Sequence, residues 1–255
     1  MSPKPYLLYE TNWKTVKDQK FEIAILPWGA TEAHNFHLPY STDIIQSDYI
    51  AEESARLAWE KGAKIMVLPT VPYGVNTGQL DIKFTISINP STQAAVLNDV
   101  VNSLFRQEIN KLVIINGHGG NSFIPIIREI QPNYPKMFIC TLNWYEMVNL
   151  RKFFSDTGDH GGEMETSNML YIAPDLILPL SEAGEGKESK FKIKGIKEGW
   201  VWAQREWTKV TKDTGIGNPA KATAQKGTKY LKDITEKIAD FLVQLVNSNI
   251  NDLYE

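Results

Sequence analysis

The sequence is poor in several features that mark particular classes of protein. It has a single cysteine, Cys140, so it cannot form an internal disulfide bond, and we expect a reducing compartment. Its formal net charge is −3 with no strongly basic block, so nucleic acid is not an expected partner. It has no apolar run long enough to span a bilayer, and its polar N-terminus does not resemble a signal peptide. These absences predict a cytoplasmic protein that does not bind membranes.

The 255 residues nevertheless provide enough apolar material for a large core, because 42% of them are hydrophobic. Apolar runs that predict strands cover residues 21–27, 64–70, 111–116 and 136–142, with a further short strand at 85–88. Helical patterns alternate with these runs, which predicts a largely parallel α/β sheet. The chain contains no linker and no repeat, so we predict one domain over residues 1–255.

Two predicted helices flank the first half of this sheet. Ser47 or Asp48 is the predicted start of a helix that ends near residue 61. Ser91 is the predicted N-cap of a helix that ends near residue 110. The apolar spacing of this second helix places four side chains on its inner face, namely Val96, Val100, Leu104 and Ile109.

The chain has only four histidines, and all of them lie in polar or glycine-flanked loops. His34 and His37 belong to WGATEAHNFHLPYSTD at 28–43, His118 to NGHGGN at 116–121, and His160 to HGGEMETS at 160–167. The first two of these segments directly follow predicted strands. Because ligands of parallel sheets gather at the carboxyl ends of strands, we expect these loops to meet at one edge.

Several side chains in these loops have the chemistry of metal ligands. Glu32 and His34 are two residues apart, so both point to the same side of an extended loop. Asp43 is either a third ligand or a helix-cap carboxylate. His118 lies between glycines, which let the backbone approach a metal closely. For His37 we favour a supporting role in the core over metal binding.

The third segment leaves more than one interpretation open. Glu163 and Glu165 lie in the first turn of a predicted helix, where the helix dipole favours carboxylates, so either residue is a ligand or a capping group. The combined ligand set contains nitrogen and oxygen but no thiolate, which suits Zn²⁺, Mn²⁺ or Fe²⁺. Its carboxylates exceed the need of one ion, so we expect two metals that support hydrolysis of an amide-type bond. His160 is the predicted proton-transfer group.

These motifs together resemble the creatininase family. The matching pieces are Leu26–His34, His37–Pro39, Thr42–Asp43, Asn116–Asn121 and His160–Ser167, followed by Gly217–Pro219 and Ala222–Gly227. The resemblance implies a three-layer α/β/α sandwich, a hexamer or another homo-oligomer, and two metals per chain.

By position, the resemblance also implies roles for the individual residues. Glu32 and His118 would bind one metal and His34 the other, with Asp43 as the bridge between them. His160 matches the family's catalytic histidine. Glu165 matches a nearby carboxylate that ligates or orients the second metal and serves catalysis.

The sequence departs from creatininase itself at two points. Gly120 stands where creatininase has a glutamate ligand, and no tryptophan precedes His160 closely. Relatives with Gly-His-Gly-Gly-Asn include formamide hydrolases and a peptidase of cofactor biosynthesis. The resemblance therefore implies a metal-dependent amidohydrolase that hydrolyses a C–N bond, other than an ordinary peptide bond, in a small-molecule amide. A creatinine-type substrate, a formamide or peptide substrate, and a non-catalytic metal- or ligand-binding homologue all remain open.

Overall fold

A computed structural model describes residues 3–255 of the chain. Met1 and Ser2, which belong to the predicted domain 1–255, lie outside the described residues. Four parallel strands form the sheet: β1 (Ile23–Trp28), β2 (Ile65–Val67), β3 (Lys111–Asn116) and β4 (Phe138–Asn143). Their spatial order is β2-β1-β3-β4, and β1 pairs with β3 up to Trp28 opposite Asn116. The predicted parallel sheet is therefore confirmed.

Eight α-helices accompany this sheet within residues 3–255. They are α1 (Trp13–Val16), α2 (Thr42–Glu60), α3 (Pro90–Arg106), α4 (Phe123–Ile130), α5 (Glu163–Ile172), α6 (Lys194–Lys197), α7 (Trp207–Val210) and α8 (Ala224–Asn247). None of them is both long enough and apolar enough to cross a bilayer.

The sheet is covered on both faces, which makes the fold a three-layer α/β/α sandwich. All six residues of β1 are buried, because alternate side chains enter different cores. Ile23 and Ile25 pack in the core that α2 and α8 cover. Ala24 and Leu26 pack in the opposite core, beneath α3 and α4. This arrangement explains why the strand sequences are continuously apolar instead of alternating.

The predicted start of α2 was wrong. The helix begins at Thr42, several residues before Ser47 and Asp48, and it ends at Glu60, close to the predicted position. Asp43 lies in the first helical turn, where its negative charge is stabilised by the positive end of the helix dipole. Ser47 is instead a buried residue within the helix. The earlier start places Asp43 on a rigid element next to the loop that follows β1.

The predicted inner face of α3 was confirmed in part, because Leu104 is buried and Val100 and Ile109 pack against the same core, whereas Val96 is exposed. Pro90 is the first helical residue, a position that suits its fixed backbone angle, and Gln93, Leu97, Val101 and Leu104 are buried. Gln93 is buried because its side chain donates a hydrogen bond to Asn121. Among the predicted inner residues other than Leu104, Val100 is half-buried, Val96 is exposed and Ile109 lies beyond the helix. The predicted strand at 85–88 forms only isolated bridges.

Candidate metal centre

The carboxyl ends of β1 and β3 bring the two histidine loops together, as the sequence predicted. Trp28 at the end of β1 pairs with Asn116 at the end of β3. The loop after β1 carries Glu32 and His34, and the loop after β3 carries His118. Asp43 reaches the same edge from the first turn of α2. The segment before α5 supplies His160, and Glu165 comes from the first turn of that helix.

Glu32, Asp43 and His118 form one cluster of possible metal ligands. His118 Nδ1 lies 2.7 Å from Glu32 Oε1 and 3.2 Å from Asp43 Oδ2. His34, Asp43 and Glu165 form a second cluster. His34 Nε2 lies 2.9 Å from Asp43 Oδ1 and 3.6 Å from Glu165 Oε1. Asp43 therefore belongs to both clusters, and each of its carboxylate oxygens faces a different histidine.

His160 lies beside the second cluster. Its ring stacks on the ring of His34, with the two centroids 4.0 Å apart. The Trp207 ring lies on it as well, with its centroid 4.8 Å from that of His160. His160 Nε2 is 2.8 Å from the carbonyl oxygen of Ala33, so this nitrogen carries a proton and donates it. The backbone of His160 pairs with Ile216, which holds the residue in place. His160 also forms a third possible ligand cluster with Glu32 and His34.

The charges at this site favour a cation. Glu32, Asp43 and Glu165 are buried close together, and carboxylates buried without positive partners are costly. Burial raises the pKa of Asp43, but the neighbouring His34 and His118 outweigh it and hold the pKa at about 2. Burial likewise acts against ionisation of Glu32 and Glu165, yet the nearby histidines lower the pKa of both. The donor set therefore fits divalent metal ions.

The two central histidines respond to the same carboxylates. Burial lowers the pKa of His34, but Asp43 and Glu165 outweigh it and raise the pKa well above its ordinary value. Burial also lowers the pKa of His118, and Glu32 and Asp43 again raise it well above the ordinary value. These carboxylates therefore stabilise positive charge at this position, whether it is a proton or a metal.

A hydrogen-bond network fixes the loop that carries His118. Asn116 Oδ1 accepts hydrogen bonds from the His118 backbone N–H and the Asn121 side chain, both at 3.1 Å. Asn116 Nδ2 donates to the His118 carbonyl oxygen at 3.0 Å. A Cβ atom at Gly117 would overlap the side-chain oxygen of Ser47 and lie 3.0 Å from Trp144 Nε1, so glycine lets the loop pack against α2 without displacing Ser47. These contacts explain the residue types of the Asn-Gly-His segment.

The structure also explains the glycine at position 120, where creatininase has a glutamate ligand. A Cβ atom at Gly120 would lie 2.2 Å from the Val75 carbonyl oxygen and 2.4 Å from His118 Nε2. A glutamate therefore does not fit here without moving the histidine. Gln79 is a site residue that was not predicted from the sequence. Its side-chain amide donates a hydrogen bond to Glu32 Oε2. The preceding loop, residues 72–78, is longer than a plain connection, and this length is the only feature of the sequence that suggests a pocket wall here.

Two other predicted residues lie outside these ligand clusters. His37 is buried and its Nε2 lies 2.9 Å from Thr166 Oγ1, which matches the supporting role expected for it. Its pKa is lowered to about 4, first by burial and then by His34. Glu163 accepts hydrogen bonds from Ser155 and the backbone of Asp156 and forms an ion pair with Lys226. Glu163 thus fixes the segment before His160, whereas Glu165 faces His34.

Two cavities open onto the site. One of about 490 Å³ is lined by Glu32, Gln79, His118, His160 and Trp207, among other residues. A smaller one of about 120 Å³ is lined by Asp43, His118, Trp144 and Glu165, among others. The larger volume suits a small molecule, since ligand pockets typically measure about 300–1,000 Å³. The cluster is thus reachable by a small substrate.

Comparison with known proteins identifies the family. A family model described as creatinine amidohydrolase matches residues 9–242. This chain belongs to the creatininase family. Creatininase-family proteins are metal-dependent amidohydrolases, and the chain is an enzyme of this type. The metal-dependent hydrolase predicted from the sequence is confirmed at this level.

A crystal structure from Bacteroides fragilis NCTC 9343, provisionally named a creatinine amidohydrolase, is 44% identical to this chain. It superposes with a TM-score of 0.93, and the match covers 99% of both chains. Two solved creatininase structures, one a Zn–Zn form of a mutant and one named for Mn, are 21% and 22% identical. Each covers 96% of this chain and 100% of its own, with TM-scores of 0.78 and 0.79, and they establish a shared fold.

Two further relatives have different activities. The creatinine amidohydrolase of Pseudomonas putida is 26% identical over 176 residues, which is 61% of this chain. The match spans 66% of that enzyme's length, just under two thirds. A mycofactocin precursor peptide peptidase of Mycolicibacterium smegmatis is 25% identical over 233 residues. That match covers 86% of this chain and 83% of the peptidase. Family membership alone therefore leaves the substrate open.

Proposed function

We propose that this creatininase-family protein is a two-metal amidohydrolase that cleaves a C–N amide bond of a small molecule. The observation that carries the proposal is the position of Asp43 between two ligand clusters. Asp43 Oδ1 faces His34 and Asp43 Oδ2 faces His118, at 2.9 and 3.2 Å. A carboxylate whose two oxygens serve separate clusters has the arrangement needed to bridge two metals.

The proposed ligands divide between the two positions. Glu32 and His118 would hold one metal, His34 and Glu165 would hold the other, and Asp43 would serve both. Divalent metals bound in such a pair would polarise the substrate carbonyl and lower the pKa of water. Nitrogen and oxygen donors suit Zn²⁺, with Mn²⁺ or Fe²⁺ as alternatives, and solved creatininase structures are named for Zn and Mn.

The residues around the metal positions have separate tasks. His160 is the proposed proton-transfer group, and its Nδ1 is the available basic atom because Nε2–H donates to the Ala33 carbonyl. Trp207 packs against the His160 ring, and Ile216 pairs with the His160 backbone, so the ring is held beside His34. Glu165 orients this side of the site, since it also accepts a hydrogen bond from the Gly161 backbone.

For the substrate, we propose a small amide, with a cyclic creatinine-type amide as the first candidate. The main alternative is a formamide or a short peptide, which the similarity to a peptide peptidase supports. A non-catalytic binding role, suggested by the glycine at position 120, is not proposed, because the chain belongs to a family of metal-dependent amidohydrolases. The two ligand clusters also form without a residue at position 120, since they consist of Glu32, Asp43 and His118 and of His34, Asp43 and Glu165. We further propose one domain over residues 1–255, a cytoplasmic location and a homo-oligomer.

The test measures hydrolysis by metal-reconstituted protein. Creatinine, an N-formyl amine and a short peptide are incubated separately with protein loaded with Zn²⁺ or Mn²⁺, and products are quantified. We expect turnover of at least one of these amides, lost after chelation and restored by metal. His160→Ala serves as the control for contaminating hydrolases. No turnover of any class by fully loaded protein would contradict the proposed function.

A further inference from the structure

Two side-chain amides that the proposed mechanism does not use line the larger cavity. Asn76 and Gln79 come from the loop between β2 and α3, and only 3% and 2% of their surface is exposed. A 3-10 turn at Thr77–Gln79 follows Asn76 directly, and a backbone hydrogen bond of 2.9 Å joins the Gln79 N–H to the Asn76 carbonyl. The loop thus presents two buried polar groups to one cavity.

The orientation of both amides is determined by their partners. Gln79 Nε2 donates to Glu32 Oε2, and the reverse orientation would place an amide oxygen against a carboxylate. Asn76 Nδ2 donates to the Ile86 carbonyl oxygen at 3.0 Å, and the reverse orientation would face two oxygens toward each other. The amide oxygens, Asn76 Oδ1 and Gln79 Oε1, are therefore the free ends.

Neither of these oxygens has a hydrogen-bond partner among the described residues, although both are buried. Leaving such an acceptor unsatisfied costs about 1–3 kcal/mol, which a bound donor would recover. Both residues line the same cavity as Glu32 and His160, so a donor that reaches them also lies near the reacting groups. Hydrogen-bond acceptors select ligands that carry N–H or O–H groups.

We propose that Asn76 Oδ1 and Gln79 Oε1 form an acceptor pair that binds N–H donors of the substrate, so that the enzyme prefers amides with such donors near the scissile bond. This inference rests on the proposed function, since it concerns the same cavity. Gln79 has a second task as a positioning residue, because its Nε2–H donates a hydrogen bond to Glu32 Oε2.

The loop itself is built to bring these amides inward. A Cβ atom at Gly78 would lie 2.3 Å from the Arg205 carbonyl oxygen and 3.1 Å from the Trp207 ring. Glycine therefore lets the turn pack directly against the segment that supports His160. Thr77 Oγ1 adds a hydrogen bond of 3.1 Å to Gln204. The packing of this turn against residues 204–207 therefore positions both the acceptor pair and His160.

The test compares matched probes on metal-loaded protein. Creatinine carries N–H donors where 1-methylhydantoin has a carbonyl oxygen, and glycinamide carries the N–H₂ group that N,N-dimethylglycinamide lacks. Dissociation constants are measured by ligand-observed NMR for wild type, Gln79→Met and the control Gln107→Met, whose exposed side chain lies at the end of α3. Metal affinity is measured by calorimetry in parallel.

We expect wild type to bind the donor-bearing probe of at least one pair about tenfold more tightly, the value of one good hydrogen bond. Gln79→Met should remove most of this preference and weaken metal binding, whereas Gln107→Met should retain both. Asn76→Leu should also lose the preference, and Asn76→Asp, which keeps an acceptor, should recover part of it. A merely structural role would lower affinity for both members of a pair equally.

Three outcomes would overturn the inference: an unchanged preference in Gln79→Met, equal affinities for both members of each pair in wild type, or no binding of any donor-bearing probe. Binding and hydrolysis are read separately, so failure of the two proposals can be told apart. Donor preference without turnover of any amide would retain the acceptor pair and contradict the proposed function. Turnover without donor preference would support the proposed function and contradict the acceptor pair.

Discussion

The imidazole rings of His34 and His160 lie stacked, with their centroids 4.0 Å apart and their planes inclined by 28°. His34 Nε2 faces two carboxylates, Asp43 and Glu165, whereas His160 Nε2 donates to the Ala33 carbonyl. Two adjacent histidines therefore have different partners, and their partners indicate different roles. His34 has the surroundings of a metal ligand, and His160 has those of a proton-transfer group beside it.

Replacing His160 with alanine should separate catalysis from metal binding. We expect turnover of the best substrate to fall about 100-fold or more, the usual contribution of a positioned acid–base group. Metal content per chain, measured by elemental analysis, should stay at the wild-type level because Glu32, Asp43, His118, His34 and Glu165 remain.

A matched loss of metal and turnover in this variant would mean that His160 is itself a ligand. The possible cluster of Glu32, His34 and His160 makes this alternative specific. His37→Gln is the control, because His37 is buried nearby but contacts Thr166. Wild-type turnover in His160→Ala would remove this residue from the mechanism.

Gly119 and Gly120 form a matched pair of neighbouring glycines. A Cβ atom at Gly119 meets no atom within 4 Å, whereas one at Gly120 would overlap the Val75 carbonyl oxygen and His118 Nε2. Gly120→Ala should therefore destabilise the fold by about 1–3 kcal/mol and weaken metal binding through displacement of His118. Gly119→Ala should change stability by less than about 0.5 kcal/mol.

Urea unfolding and metal titration of both variants provide the measurement. Gly120→Glu, which restores the residue found in creatininase, is expected to lose affinity for metal because its Cβ causes the same overlap. Tighter metal binding by Gly120→Glu would instead show that the loop can move to accept a further ligand.

The affinity for metal should increase with pH. The raised pKa values of His34 and His118 mean that protons compete with the metal for these nitrogens at neutral pH. The pKa of Asp43 is already lowered to about 2, so this carboxylate does not contribute to the pH dependence.

Each proton released on binding should therefore raise the apparent affinity about tenfold per pH unit below the raised pKa values. Calorimetric titration with Zn²⁺ or Mn²⁺ between about pH 6 and pH 8 measures this dependence, and buffers of different ionisation enthalpy count the released protons. Affinity that does not change with pH, with no proton release, would be inconsistent with binding at these histidines.

The sheet and the candidate ligands at its edge could be predicted from the sequence because their signals are local. The strand at Lys111–Asn116 has the bounds that its apolar run predicted, and the parallel topology then brought Glu32 and His118 to one edge. The start of α2 was wrong because a helix that buries polar residues such as Gln46 and Ser47 lacks the expected apolar spacing.

Gln79 and Asn76 could not be predicted from local patterns. Their positions depend on a loop that crosses the sheet edge and on the fit of Gly78 against Arg205 and Trp207. The only signal was the length of the loop, which suggested a pocket wall but not which side chains line it. Contacts of this kind depend on tertiary packing, so a single sequence contains no periodicity that reveals them.

The most direct test of the proposed two-metal site is the metal content of wild type and Asp43→Asn, with Asp48→Asn as the control. Asp48 lies on the same helix but contacts Thr70, so its variant should behave like wild type. We expect about two metals per chain in wild type and in Asp48→Asn, and less than one in Asp43→Asn, because the bridging carboxylate serves both positions. One metal or none in fully reconstituted wild type, or two metals retained in Asp43→Asn, would contradict the two-metal site.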